Sequence, residues 1–235
     1  EYFLKQGFLD PAVLSNLASI KQEIGQIDHA INLYRKCIDL FPESFKAYSN
    51  LGVVLKNIGQ LKEAEEMLLK AIQINPRYAN AYLNLGMVLK DLGKLDEAER
   101  STRKSIKLKS DFADAYCNLG VILIDLNKPE EAEILIRKAI KFKPSLPSAH
   151  YNLGVLLNNF GKSSEAEIET RKAIKLKSNY HQAFFNLGTL LINKGDLKEA
   201  KLYIKKAIDL KPDYAEAYFV LSSLDNSEVS HFFKN

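Results

Sequence analysis

The chain has 235 residues, of which 46% are apolar and 26% are charged, and its formal net charge is +4. This composition is typical of a folded protein with one or two domains and excludes an intrinsically disordered chain. The small net charge gives no indication of binding to nucleic acid or to an anionic membrane. No apolar run approaches the ~18 residues that a membrane-spanning helix needs.

The two cysteines, Cys37 and Cys117, lie far apart and show neither metal-ligand nor redox spacing. The sequence also lacks a secretory signal pattern, so a reduced cytoplasmic setting is expected. Neither a metal ion nor a cofactor is predicted, because the sequence has no phosphate-binding glycine loop and no zinc-protease histidine pair.

The first element, residues 1–10, is rich in aromatic side chains but lies outside the pattern that follows. We expect it to be an N-terminal cap or the stub of an upstream element. From residue 11 onwards the chain repeats itself with a period of ~34 residues. An asparagine marks the repeat at Asn16, Asn50, Asn84, Asn118, Asn152 and Asn186, and an alanine keeps step with it at Ala30, Ala64, Ala98, Ala132, Ala166 and Ala200.

Each repeat is predicted to contain two amphipathic helices, because large apolar residues recur within it at helical spacing. Small residues, such as Gly52 and Gly86, mark the places where the two helices are expected to cross closely. A residue in the left-handed conformation is expected to end each first helix. Five repeats have glycine there, at Gly25, Gly59, Gly93, Gly161 and Gly195, and the fourth repeat has Asn127.

The pattern A-Y-x-N-L-G-x-x-L-x-x-x-G, followed by L-x-E-A-E and K-A-I-x-L-x-P, resembles the tetratricopeptide repeat. In this register six full copies occupy residues 11–44, 45–78, 79–112, 113–146, 147–180 and 181–214. Residues 215–235 are then a terminal helix, expected to reach about residue 225, and a tail. The resemblance implies an all-α, right-handed α-solenoid of stacked helix-turn-helix repeats, in which first helices line a concave groove and second helices form the convex back.

The recurring asparagine lies on the flank of the first helix rather than at the centre of its buried face. On a helical wheel centred on Leu85, the residues Ala81, Tyr82 and Leu89 cluster around the centre, whereas Asn84 falls to one side. A second row of amide or acidic residues follows, at Glu23, Asn57, Asp91, Asp125, Asn159 and Asn193. Stacked repeats would align both rows as a polar stripe along the groove.

A further row, the apolar row, consists of the residues just before and three after each asparagine. It is polar in the early repeats and apolar in the later ones, and we expect it to be exposed to water in a monomer. An apolar patch of this length usually marks a binding site. Carboxamides can bind both the N–H and the C=O of a peptide backbone while apolar residues accept its side chains. The predicted peptide-binding residues are Asn50, Asn84, Asn118, Asn152, Asn186, Leu83, Met87, Val121, Tyr151, Val155 and Phe185.

Two alternatives for these rows stay open. The asparagines can hydrogen-bond between neighbouring repeats without any ligand, and the apolar row can be covered by a terminal segment or a second copy of the chain.

The asparagine row is also similar to that of the superhelical repeat domain of the O-linked N-acetylglucosamine transferase. This resemblance implies capture of a peptide backbone.

Binding of chaperone C-termini is disfavoured. The branch of the family that binds them grips a terminal carboxylate with Lys, Asn and Arg on successive first helices. The corresponding positions here include Ser15, Ser49 and Val53, and only Lys46 is basic.

Binding of RNA and catalysis are disfavoured as well. Basic pairs such as Arg137-Lys138 recur on the second helices, but Glu133 lies one turn before Arg137, as in an ordinary ion pair on a solvated helix. No aromatic residues interleave with these pairs for base stacking. The histidines occupy unrelated repeat positions, and His150 stands where most other repeats have tyrosine.

The sequence thus predicts a protein-interaction scaffold that binds a protein or peptide in its concave groove and is not an enzyme. The alternative is the substrate-recruiting repeat arm of a larger transferase whose catalytic domain lies outside this chain. Neither nucleic acid nor a membrane is an expected partner. Self-association through the groove or the chain ends is left open.

Overall fold

The structure is a computed structural model that describes residues 10–232, with side chains described as far as Leu224. The predicted cap at residues 1–10 therefore lies, except for Asp10, outside the described residues. The chain divides into two compact units, of which unit 1 ends at Asn127 and unit 2 begins at Lys128. The described residues form α-helices and the turns between them, with no strand.

The helices of unit 1 are α1 (Pro11–Glu23), α2 (Ile27–Leu40), α3 (Phe45–Asn57), α4 (Leu61–Ile74), α5 (Ala79–Asp91), α6 (Leu95–Leu108) and α7 (Ala113–Asp125). Those of unit 2 are α8 (Pro129–Phe142), α9 (Pro147–Asn159), α10 (Ser163–Leu176), α11 (His181–Lys194), α12 (Leu197–Leu210) and α13 (Ala215–Phe232). The first helix of each repeat has an odd number from α1 to α13, and the second helix has an even number.

The turns between first and second helices have the predicted left-handed residue. Gly59 has a φ of 80°, and Asn127, which replaces glycine in the fourth repeat, has a φ of 59°. Residues with a Cβ rarely adopt this conformation, and asparagine tolerates it better than most. The prediction for these turns is confirmed.

The small residues lie where the two helices of a repeat cross. All six recurring alanines, from Ala30 to Ala200, are fully buried. A Cβ on Gly86 would lie 2.1 Å from Oγ1 of Thr102 and 3.2 Å from the carbonyl oxygen of Ala98. The close approach of α5 and α6 therefore requires glycine at this position, and the predicted register of the helices is confirmed.

The side of unit 1 formed by the first helices is the more tightly packed one. The helices α1, α3, α5 and α7 contact one another in order, whereas no comparable packing joins α2, α4 and α6 to one another within the described residues. In unit 2 the first helices α9 and α11 also contact each other directly. We call the surface that the first helices form the first-helix side of each unit.

The last helix is longer than the sequence predicted. It was expected to reach about residue 225, but α13 continues to Phe232. No glycine or proline lies between Leu224 and Phe232, so the chain has none of the residues that usually end a helix.

Candidate functional site

The amide row consists of Asn50, Asn84, Asn118, Asn152 and Asn186, all of which are half-buried on first helices. Asn84 donates from Nδ2 to the hydroxyl oxygen of Ser49, 3.3 Å away, and Asn186 donates from Nδ2 to Oγ1 of Thr170, 3.0 Å away. Each bond reaches the preceding repeat. The alternative that the asparagines link neighbouring repeats therefore applies to these two members of the row.

Asn50 makes a related contact. Burial raises the pKa of the Tyr34 hydroxyl above its ordinary value, and hydrogen bonds with Ser19 and Asn50 partly offset that effect. Tyr34 lies on α2, the second helix of the repeat before Asn50. The amide row thus meets the second helix of the preceding repeat at both ends, at Tyr34 in unit 1 and at Thr170 in unit 2.

The expectation that the apolar row is exposed is wrong for the position just before the asparagine in unit 1. Leu83 is only 6% exposed and Cys117 only 1%. At the same position in unit 2, Tyr151 packs on Tyr180, which lies in the turn after the second helix (ring centroids 5.1 Å apart). A helical wheel of one helix omits the residues of other elements that pack against it, so it could not show this burial.

The remaining members of the apolar row keep part of their surface. Met87, Val121 and Val155, three residues after the asparagine, are half-buried, and so are Tyr151 and Phe185. The surface available beside the amide row therefore includes a half-buried aliphatic row in both units and the rings of Tyr151 and Phe185 in unit 2.

The second polar row is partly occupied by ion pairs. Nζ of Lys56 lies 3.1 Å from the carboxylate of Asp91, and Nζ of Lys90 lies 3.7 Å from that of Asp125. Each pair joins the C-terminal ends of successive first helices in unit 1. These acidic residues therefore stabilise the stacking of repeats, and solvent screening limits each pair to about 0–1 kcal/mol.

Unit 2 has an aromatic cluster that the sequence analysis found only in part. Tyr151 and Phe185 were predicted site residues, but Tyr180, His181 and Tyr214 were not. Phe185 packs on Tyr214 and His181 meets the same ring edge-on, with centroids 5.0 Å and 5.4 Å apart. The signal for the missed residues was present, because Tyr78, Phe112, Tyr180 and Tyr214 occupy the same repeat position.

The charges around this cluster act on its titratable groups. Burial lowers the pKa of His181 below its usual value, and the nearby charges of Lys211 and Lys177 lower it further, against a smaller opposing effect of Asp213. Burial also raises the pKa of Tyr151, and it raises that of Tyr214, where Tyr151 and Glu216 add to the effect.

A cavity of about 750 Å³ opens in unit 1 between the start of α1 and the turn from α2 to α3. Its lining includes Pro11, Ala12, Phe41 and Phe45, together with Asn16 and Asn50, members of the recurring asparagine series. Ligand pockets usually have volumes of ~300–1,000 Å³ and apolar walls with a few polar groups. This cavity was not predicted from the sequence.

The basic pairs of the second helices take part in ion pairs. Arg137 contacts Glu133 one turn earlier, at 2.7 Å, and Glu165 on the next second helix, at 3.7 Å. Arg171 likewise pairs with Glu167 and Glu199, at 2.8 and 2.9 Å. The predicted ion pairs on these helices are confirmed, and they partly neutralise the cationic track that RNA would need.

His150 is a packed ring, as its position predicted. It is 5% exposed, and both ring nitrogens face oxygen acceptors. Nε2 donates to the carbonyl oxygen of Pro144 at 2.8 Å, and Nδ1 lies 2.6 Å from Oε2 of Glu169. Tyr116 makes the equivalent bond in its own repeat, from its hydroxyl to the carbonyl oxygen of Ser110.

Two features are absent from the part of the chain that the structure describes. No group of three or more His, Cys, Asp or Glu side chains is placed to hold a metal ion. None of the described helices combines the length and the apolar character that crossing a bilayer requires.

Comparison with protein families gives one match over most of the chain. The profile of the Cilia and flagella-associated protein 70 C-terminal domain, a tetratricopeptide-repeat profile, matches residues 1–219. No curated protein sequence matches the chain.

Several solved structures share the fold. Pseudomonas aeruginosa pilF has a TM-score of 0.73 at 20% identity, with 91% of this chain and 97% of that chain covered. The APC/C hetero-tetramer Cut9-Hcn1 has a TM-score of 0.83 at 16% identity. The match covers 92% of this chain but only 43% of that chain. YrrB, described as a TPR protein with an unusual peptide-binding site, has a TM-score of 0.53 at 24% identity over 80% of this chain and 96% of its own.

At these identities the likeness shows the fold alone. The expected all-α repeat solenoid is confirmed. The right-handed sense of the solenoid and the resemblance of the asparagine row to that of the O-linked N-acetylglucosamine transferase stay predictions.

Proposed function

The chain belongs to the family of the Cilia and flagella-associated protein 70 C-terminal domain, which is built of tetratricopeptide repeats, and from that premise we propose that it is a protein-interaction scaffold whose first-helix side binds an extended peptide. Stacked helical repeats commonly use such extended surfaces for binding. The proposed role is binding, and no catalytic step is assigned to the described residues.

The observation that carries the proposal is the amide row, a half-buried carboxamide at the same position of successive repeats. A carboxamide has two N–H donors and an oxygen with two acceptor positions. Asn84 and Asn186 each use one donor for the preceding repeat. Their second N–H donor and their oxygen can pair with the C=O and N–H groups of an extended backbone. The hydrogen bond to the preceding repeat also holds each amide in one orientation, which lowers the entropic cost of binding.

The half-buried aliphatic row supplies the apolar part of the surface. Met87 and Val121 in unit 1 and Val155 in unit 2 lie one helical turn after their asparagines. Apolar ligand side chains placed there would remove both surfaces from water at about 25 cal/mol for each Å². Leu83 is excluded from the proposed site, because its side chain is already buried.

The proposal is tested by selecting dodecapeptides from a displayed random library with the wild-type chain. The affinity of an enriched peptide is then measured for the wild type, for Asn118→Ala and for the triple variant of Asn84, Asn118 and Asn152 to alanine. Asn32→Ala is the matched control, because Asn32 is exposed on the second helix α2. Each lost pair of hydrogen bonds is expected to weaken binding about tenfold.

The proposal requires that Asn32→Ala binds like the wild type while both other variants bind more weakly. Thermal melting separates binding from folding. Equal affinity of all four proteins, or a triple variant that no longer folds, would indicate that the amide row only links repeats.

A further inference from the structure

The cavity in unit 1 lies at the position where the fifth and sixth repeats have a pair of aromatic rings. In unit 2, Tyr151 packs on Tyr180, and Phe185 packs on Tyr214 in the next repeat. These pairs join the residue before the asparagine to the turn residue that leads into the following first helix. At the same two positions the first repeat has Ser15 and Ser44.

Both serines line the cavity of about 750 Å³. Ser15 is buried at 8% exposure beside the thiol of Cys37, with Oγ 3.7 Å from Sγ, so it does not extend into the space that a ring would take. The second repeat also has a serine, Ser49, at the first position, but its turn residue Tyr78 packs edge-on against Phe45 at 4.9 Å. Within the described residues, the first repeat is the one with serine at both positions.

We propose that this cavity binds an aromatic side chain of a peptide ligand, which occupies the place that the ring pairs occupy in the fifth and sixth repeats. The walls suit a ring, because Pro11, Phe41 and Phe45 are apolar and two of them are aromatic. Aromatic pairs at such distances attract each other beyond the effect of burying their surface.

The polar groups of the cavity suit the backbone beside that ring. Asn16 and Asn50 both line it, and Asn16 is exposed while Asn50 is half-buried. A peptide whose aromatic side chain enters the cavity would therefore place its backbone next to the first two asparagines of the series. The inference rests on the proposed function and adds a specific requirement, an aromatic anchor at one end of the bound segment.

The variant Ser44→Tyr tests the inference by placing the chain's own ring in the cavity, as Tyr180 and Tyr214 do in unit 2. Ser44 is the residue before α3, but its side chain makes no capping hydrogen bond, so its replacement removes no cap. Ala12→Phe is a second blocking variant that changes an exposed residue of the lining. Ser44→Ala, which adds no volume, is the matched control.

The probe is the displayed random dodecapeptide library, selected in parallel on the wild type and on each variant. Peptides enriched on the wild type are expected to contain Phe, Tyr or Trp. They should bind Ser44→Tyr and Ala12→Phe at least about tenfold more weakly, the loss expected for a buried ring, and Ser44→Ala equally well. Circular dichroism melts establish that each variant is folded, and either blocking variant is sufficient for the test.

The alternative outcomes are distinct. Enriched peptides without aromatic residues, or aromatic peptides that bind both blocking variants as tightly as the wild type, would overturn the inference and leave the proposed function standing. No enriched peptide on the wild type would overturn both.

A wild-type dimer in sedimentation that Ser44→Tyr disperses would identify a second copy as the occupant. Affinity that rises about tenfold when Phe3 and Phe8 are changed to Ala would identify the chain's own first residues. Either of these last two results overturns the inference.

Discussion

Nδ2 of Asn186 lies 3.0 Å from Oγ1 of Thr170, which is on the second helix of the preceding repeat. Thr170 uses its own proton to donate to the carbonyl oxygen of Ala166 at 2.8 Å, so the amide must be the donor to the threonine. The same asparagine therefore stabilises the stacking of two repeats and belongs to the row that we propose binds a peptide.

The variant Thr170→Val is expected to lower the free energy of unfolding by about 1–2 kcal/mol. Valine keeps the volume but removes the oxygen that accepts from Asn186 and the donor to Ala166. Urea unfolding measures the change. The matched control is Thr102→Val, because Thr102 makes the same bond to Ala98 on its own helix but none to Asn118 among the described contacts. Equal losses in the two variants would contradict a stabilising role for the bond between the repeats.

The variant Gly86→Ala is expected to lower the free energy of unfolding by about 1–3 kcal/mol, the usual range for overpacking. The added methyl group would lie 2.1 Å from Oγ1 of Thr102, so α5 and α6 must move apart. The double variant Gly86→Ala with Thr102→Ala should recover part of the loss, because the two changes are coupled through one contact. Strict additivity in thermal or urea unfolding would refute the close crossing.

The pH dependence of stability should contain a contribution from Glu169. Burial by itself would raise the pKa of this carboxyl, but hydrogen bonds from Lys172 and His150 outweigh burial and hold the pKa below its usual value. A carboxyl with a lowered pKa in the folded state contributes stability above its unfolded pKa, ~4.3, and that contribution is lost as the pH falls through the folded pKa.

Glu169→Gln is therefore expected to be less stable than the wild type at pH 7, and the difference should shrink as the pH is lowered below about 4. Urea unfolding over this pH range measures it. Glu66→Gln is the control, since Glu66 is exposed on the second helix α4. A difference that stays constant down to low pH would mean that the ionised form of Glu169 is not the stabilising one.

Features that depend on one repeat could be predicted from the sequence. The left-handed residues Gly59 and Asn127 and the buried alanines follow from spacing within a repeat, because each is determined by its own helix pair. The burial of Leu83 could not be predicted in this way. A wheel of one helix omits the residues of other elements that pack against that helix, so it cannot show how much of Leu83 they cover.

The cavity of the first repeat escaped prediction for the same reason. Ser15 and Ser44 are unremarkable one at a time, and their meaning appears only when Tyr151 and Tyr180 are seen in contact at the equivalent positions. The turn residues Tyr78, Tyr180 and Tyr214 do recur at one repeat position, so the period of the repeat applied to the turns would have found them.

The central claim, that a peptide lies on the first-helix side, is tested most directly by hydrogen exchange of the wild-type chain with and without a saturating selected dodecapeptide. Helices that contact a ligand open less often, so their amide exchange slows. We predict slower exchange in first helices, α3, α5 and α7 in unit 1 or α9 and α11 in unit 2, and unchanged exchange in the second helices α4 and α10. Slowing confined to second helices would contradict the account.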